Sequence, residues 1–389
     1  MSVGIDDISF ATSNFYLDLK NLADVHRIEA DKFYLGIGQE KMGIVPADED
    51  VVTMAANAAL PIVQGIDKNS ISTVLFATET GIDQSKAAGI FVHGLLQLPQ
   101  RCRVVELKQA CYSATGALQM ACALVARNPQ QKVLVLASDI ARYDLNSSGE
   151  ATQGCGAVAM LISANPRLVE IAPESGHYTE DVMDFWRPNY RSTALVDGKY
   201  STKIYLKALK HAWTHFHEVS GVTFEQLDYF CYHLPFSRMA EKAQLQLAKY
   251  CKSSADSETL LAKIEPSLHY NRIIGNSYTA SMYIGLNSLL DNADADLSGR
   301  RIGFFSYGSG CVAEFFCGRV VAGYREHLHR ARHQQLLNAR QELDYNEYLR
   351  FYHFEHPTDG GDHQFACQTR GHFRLAGISQ HKRIYSPRS

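Results

Sequence analysis

Apolar residues recur along this chain in two rhythms that keep changing places. Residues 3–10 alternate apolar and polar side chains, the period of a half-buried strand, and residues 17–28 repeat at helical spacing. Residues 32–45 form a glycine-punctuated connection, and residues 51–63 are apolar at helical spacing again. Residues 73–78 predict a short buried strand ending in Glu79, and residues 87–96 an amphipathic helix. Residues 103–107 predict a strand that feeds a small-residue helix over 114–126. Strands at 132–137, running into Ser138 and Asp139, and at 156–163 complete the first half. Strands alternating with helices predict an α/β fold.

The second half opens differently. Residues 169–222 are polar and aromatic, with a helix predicted over 201–218, and read as an insertion that covers something. The earlier rhythm then returns: a strand over 227–232 delivers His233, and a helix follows over 237–250. A strand-like stretch runs to Asn276 with a helix from Thr279, and the strand 301–306 reaches the turn Tyr307-Gly308-Ser309-Gly310. The tail from Asp344 is aromatic and histidine-rich, with a strand at 373–377. The division expected is therefore 1–165 and 166–389, two variations on one plan.

Composition narrows the function classes. A net charge of -3 over 389 residues gives no global attraction to nucleic acid or to an anionic membrane, so an anionic ligand needs a local basic cluster. No apolar run is long enough to span a bilayer, and the acidic amino terminus does not resemble a secretory signal. Nine cysteines without a Cys-x-x-Cys pair argue against both a disulfide framework and a zinc site. His211 and His215 have chelating spacing but lack an acidic partner, and no metal is expected. The compartment expected is reducing and cytoplasmic.

Candidate chemistry centres on Cys111, in the stretch Lys-Gln-Ala-Cys-Tyr-Ser at the junction of a strand and a helix. The positive end of a helix favours an anion, which biases such a cysteine toward thiolate, a nucleophile. A carboxylate after one strand (Glu79) and an imidazole after another (His233) complement it. Together they suit acyl transfer from a thioester, proton removal from the acyl methyl group, and support of a developing oxyanion. Taken singly each has an ordinary reading. Glu79 can cap a helix or pair with Lys86, Cys111 can be an inert core thiol, and His233 can be a satisfied core histidine. Asn276 can be a turn residue. The Gly308-Ser309-Gly310 turn is either a tight connection or a source of backbone N–H groups for an oxyanion.

The motifs Thr78-Glu79-Thr80, Ala110-Cys111-Tyr112 and Gly275-Asn276 resemble the 3-hydroxy-3-methylglutaryl-CoA synthase family. So do IGQEKMG near Gly38, DFWRP from Asp184, VDGKYS ending at Ser201, and FSYGSG from Phe305 to Gly310. The resemblance implies a thiolase-like fold of two α/β halves layered α-β-α-β-α, usually a homodimer. It implies a Claisen-type condensation of acetyl-CoA with acetoacetyl-CoA, without a cofactor. In family terms Cys111 carries the acetyl group, Glu79 takes the methyl proton, and His233 assists at the acceptor carbonyl. Thr152, Ser201, Asn276 and Ser309 match positions contacting the acyl portion, and Lys242 matches a basic residue meeting CoA phosphates. Arg238 stands where the family often has lysine. A related condensing enzyme fed by an acyl carrier protein, or a thiolase-fold binding protein without chemistry, are the alternatives.

Overall fold

The computed structural model describes residues 1–388. Nine strands form its central sheet: β1 (Val3–Ala11), β2 (Ile71–Ala77), β3 (Arg103–Leu107), β4 (Lys132–Ala141), β5 (Gly154–Ala164), β6 (Val169–Thr179), β7 (Tyr229–Tyr232), β8 (Arg301–Gly308) and β9 (Val312–Val320). Their order across the sheet is β7-β8-β9-β6-β1-β5-β4-β2-β3. One pattern of pairing occurs twice. From β1 outward, β5 and β4 pair antiparallel and β2 joins β4 in parallel. From β6 outward, β9 and β8 pair antiparallel and β7 joins β8 in parallel. The two sets meet only through a short β1–β6 junction at Gly4 and Ile5.

Alternation along each strand sorts the core into layers. On β2, Val74 and Phe76 face α1 (Val51–Gln64) and α2 (Ala88–Leu95), while Leu75 and Ala77 face the opposite way. That inner side holds α3 (Ser113–Arg127) and α6 (Ser281–Asn292), which also cover Ile302 and Phe304 of β8. Phe305 and Tyr307 of β8 point to the far layer, α4 (Gly198–Ser220) and α5 (Arg238–Tyr250). The result is helix, sheet, helix, sheet, helix, as the thiolase-like reading expected. Small residues explain the inner layer. Ala114, Ala117 and Ala121 let α3 lie against sheet residues on both sides.

Two expectations need correction, and some elements had none. Residues 169–179 are not irregular insertion but β6, antiparallel to β9 along its length. A register shift between Ile171 and Ser175 and the exposed Pro173, Glu174 and His177 hid the alternation, and only the stretch between β6 and α4 behaves as a covering loop. The stretch before Asn276 is helical, Ser257–Ala262 and His269–Ile274. Its buried residues Tyr270, Asn271 and Ile274 fall at one, two and five, a helical rather than an alternating set. β9, the return arm beyond the 307–310 turn, and α7 (Arg330–Asn338) had no sequence prediction, and the tail holds a helix, Tyr345–Tyr352, besides its strands.

Candidate active site

Glu79 and His233 occupy equivalent places in the repeated pairing. Glu79 follows β2 and His233 follows β7, the strand that joins each set in parallel, and both stand beyond carboxyl ends, where open α/β sheets bind ligands. Cys111 lies between β3 and α3 in a tight turn in which Tyr112 N–H donates to the Gln109 carbonyl at 3.1 Å. Ala110, immediately before it, has φ +43°, a left-handed conformation uncommon for a residue with a Cβ. Ser113 locks that turn by donating to the Ala110 carbonyl at 2.9 Å.

The sulfur of Cys111 donates to Glu79 Oε1 at 3.0 Å. Burial pushes the Glu79 carboxyl up to about 8, with nearby Asp139 adding to the rise and Cys111 and Arg187 opposing it. The same burial, together with the Glu79 carboxylate, pushes the Cys111 thiol well above its ordinary value. This corrects the thiolate expectation. A helix terminus contributes about 0.3–1 kcal/mol, too little against desolvation and an adjacent carboxylate. Cys111 rests as a thiol with its base in contact.

Burial holds the His233 imidazole down to about 3, so the ring is neutral at physiological pH. Its Nδ1 lies 2.9 Å from Ser281 Oγ, and that hydroxyl also accepts the Leu234 N–H at 3.3 Å. Cys111 and His233 line one cavity of about 140 Å³ with Thr152, Ser201, Asn276 and Ser309. Aromatic rings of Tyr143, Phe185, Tyr205 and Tyr278 supply much of its wall. Asn276 Oδ1 accepts the Tyr278 N–H at 2.9 Å, which directs its amide nitrogen elsewhere. Arg238 and Lys242 stand outside this cavity. Arg238 is paired with Glu241 at 2.5 Å and faces a different hollow with Asp18, Glu40 and Arg272. Lys242 Nζ lies 5.5 Å above the ring of Phe236, a residue of the cavity wall.

Known proteins resemble this chain over nearly its whole length. Residues 1–167 match the family model described as hydroxymethylglutaryl-coenzyme A synthase N terminal, and residues 172–259 and 246–359 match the C-terminal model. The hydroxymethylglutaryl-CoA synthase of Enterococcus faecalis is 44% identical over 90% of this chain and 91% of its own. A crystal structure of an HMG-CoA synthase complexed with CoA superposes with a TM-score of 0.94 at 40% identity, covering 100% of both chains. The chain belongs to the hydroxymethylglutaryl-CoA synthase family. A polyketide biosynthesis 3-hydroxy-3-methylglutaryl-ACP synthase of Bacillus subtilis is 32% identical over 90% of this chain and 87% of its own.

In this synthase the residues that hold the reactive groups were not evident from sequence. Asp139 Oδ1 accepts the N–H groups of Glu79 and Thr80 at 2.9 and 3.0 Å and the hydroxyls of Thr78 and Thr80 at 2.7 and 2.6 Å. Its Oδ2 accepts both the N–H and the hydroxyl of Thr279, at 3.0 and 2.5 Å. One buried carboxyl group thus ties the Glu79 loop to the segment after Asn276. Asp184 does the same across the cavity. It accepts from Ser201 Oγ at 3.0 Å, Tyr307 Oη at 2.6 Å and the Gly310 N–H at 2.9 Å. Arg187 donates to the backbone carbonyl of Glu79. The available signal was a carboxylate inside an apolar run, which stays buried only if well satisfied.

Proposed function

We propose that this chain condenses acetyl-CoA with acetoacetyl-CoA and water to give 3-hydroxy-3-methylglutaryl-CoA and CoA, through an acetyl group carried on Cys111. The observation that carries the reading is the Cys111–Glu79 hydrogen bond of 3.0 Å beside a cavity that also admits His233. Glu79 takes the thiol proton as sulfur attacks the acetyl carbonyl, and that proton leaves with the CoA thiol. The freed carboxylate then removes a proton from the acetyl methyl group. Raised proton affinity makes it a stronger base than an exposed glutamate. The resulting enolate adds to the acceptor ketone, and water cleaves the Cys111 thioester.

His233 donates a hydrogen bond to the acceptor oxygen as negative charge develops there. A neutral ring suits this role when Ser281 donates to Nδ1 and the remaining hydrogen sits on Nε2. Thr152, Ser201, Asn276 and Ser309 orient the acyl portions. Lys242 on α5, beside Phe236 of the cavity wall, meets the CoA phosphates outside the acyl cavity, whereas Arg238, four residues earlier, is held by Glu241 toward another hollow. The reaction balances with CoA thioesters as substrates and no cofactor.

A homodimer formed through β3 fits the exposed edge of the sheet. β3 pairs on one side only among the described residues, and Val105 at its centre is 40% exposed. No helix of the described residues is long and apolar enough to cross a membrane. A reducing cytoplasm would keep the thiol available.

The test is consumption of acetoacetyl-CoA that depends on acetyl-CoA, with release of one CoA thiol for each product. The 32% identical relative, named for a carrier-protein substrate, motivates a parallel arm with acyl groups on an acyl carrier protein. Faster turnover of the carrier-bound acyl groups would replace this reading with the carrier-dependent one.

A further inference from the structure

We infer that a second cavity, between α1, α7 and the C-terminal segment, is a binding site for a small molecule bearing an oxyanion group, carboxylate or phosphate. It encloses about 470 Å³, in the size range of small-molecule sites, and shares no lining residue with the Cys111 cavity. Three arginines, Arg332, Arg370 and Arg388, line it against a single carboxyl group, that of Glu49. Guanidinium groups present a planar fork of donors matched to carboxylate and phosphate.

Arg332 gives one N–H to the Asn57 carbonyl at 3.4 Å, and Arg370 gives one to the Ala339 carbonyl at 2.6 Å. Neither pairs with an acid among the described residues, so their other donors remain available. Burial alone lowers the proton affinity of Arg332, as expected of a cation removed from water without an anion beside it.

The floor of the cavity points to a ligand independently of the arginines. Glu49 is 4% exposed, and Thr369 Oγ1 donates to its Oε1 at 3.2 Å. Its Oε2 is buried with no partner among the described residues. Asn14 Oδ1 accepts the Arg370 N–H at 3.0 Å, yet its Nδ2 is likewise buried and unpartnered. Such atoms are costly to leave unpaired, so something that completes them is favoured there. Burial, with Asp48 and Asp50 nearby, pushes Glu49 up to about 7, so at and below neutral pH its carboxyl can donate to an oxyanion instead of repelling it. Gly371 packs directly on Asn57 in the cavity wall, where a Cβ would stand 2.2 Å from Asn57 Nδ2.

The experiment is calorimetric titration of the full chain with inorganic phosphate and, separately, with succinate. Saturable binding of either probe is expected, weakened at least about tenfold in both Arg332→Ala and Arg370→Ala and unchanged in Lys242→Ala. The probe that binds identifies the preferred head group. Arg370 is exposed and Arg332 only partly screened from solvent, so the variants should fold, and circular dichroism verifies this. Absence of saturable binding by both probes, binding that survives both arginine substitutions, or loss confined to Lys242→Ala would each overturn the inference.

Discussion

Glu79 Oε1 accepts the thiol of Cys111 at 3.0 Å, joining a base on one strand end to a nucleophile 32 residues further along the chain. Because the carboxyl titrates near 8, only about a tenth of it is ionised at pH 7. The rate of enzyme acetylation should therefore rise with pH to a midpoint near 8 and then level off. Single-turnover release of CoA, followed across pH, checks this. Glu79→Gln should lack that limb, acetylate slowly and fail to condense.

Stability should move the other way. An unfolded glutamate ionises near 4.5, whereas the folded one keeps its proton to about 8, so the native state binds more protons between these values. Stability falls as pH rises through that window. Glu79→Gln removes the need to ionise a desolvated carboxyl group, and its unfolding midpoint should exceed that of the parent above about pH 8. Denaturant titrations at several pH values measure the crossing.

His233 gives the opposite acid behaviour. Its folded ring stays neutral to about 3 and its unfolded ring protonates near 6.5, so stability is lost as pH falls from 6.5 toward 3. Activity should show no limb from His233 between pH 6 and 8, and His233→Ala should reduce condensation about 100-fold or more while Cys111 still acetylates. Separate assays of acetyl transfer and of condensation distinguish the two steps.

Much of this site was legible in sequence because apolar runs end in polar residues at Glu79 and His233, and Cys111 stands at a strand–helix junction. What the sequence did not disclose depends on partners far along the chain. Asp139 acts on Thr78 and on Thr279, 61 and 140 residues away, and Ser281 reaches His233 across 48. The thiolate expectation failed for a related reason: a helix terminus is a local feature, whereas burial and the Glu79 contact arise only on folding. Arg238 was legible as a helix-face cation, but its pairing with Glu241 turns it toward another hollow. β6 went unread because a register shift and exposed residues at Pro173, Glu174 and His177 break its alternation.

Asp139→Asn tests the linking role of that carboxyl group. It preserves shape but removes the charge that receives six hydrogen bonds and that raises Glu79. Stability should fall by about 2–4 kcal/mol, and the pH limb of acetylation should shift to lower pH. A purely structural role would leave the limb in place.

Gly308→Ala tests the approach of the 307–310 turn to the nucleophile. An added Cβ would stand 2.5 Å from the Gln109 carbonyl oxygen and 2.7 Å from the Tyr112 nitrogen, the residues on either side of Ala110 and Cys111. Turnover should collapse with a stability loss of about 1–3 kcal/mol, read by steady-state kinetics and thermal unfolding.

The most direct measurement is mass spectrometry of the protein quenched in acid after brief exposure to acetyl-CoA, with the modified residue located by peptide mapping. The account predicts one acetyl group, on Cys111, absent in Cys111→Ser. An acetyl group on another residue, or a folded and unmodified protein that still turns over, would contradict it.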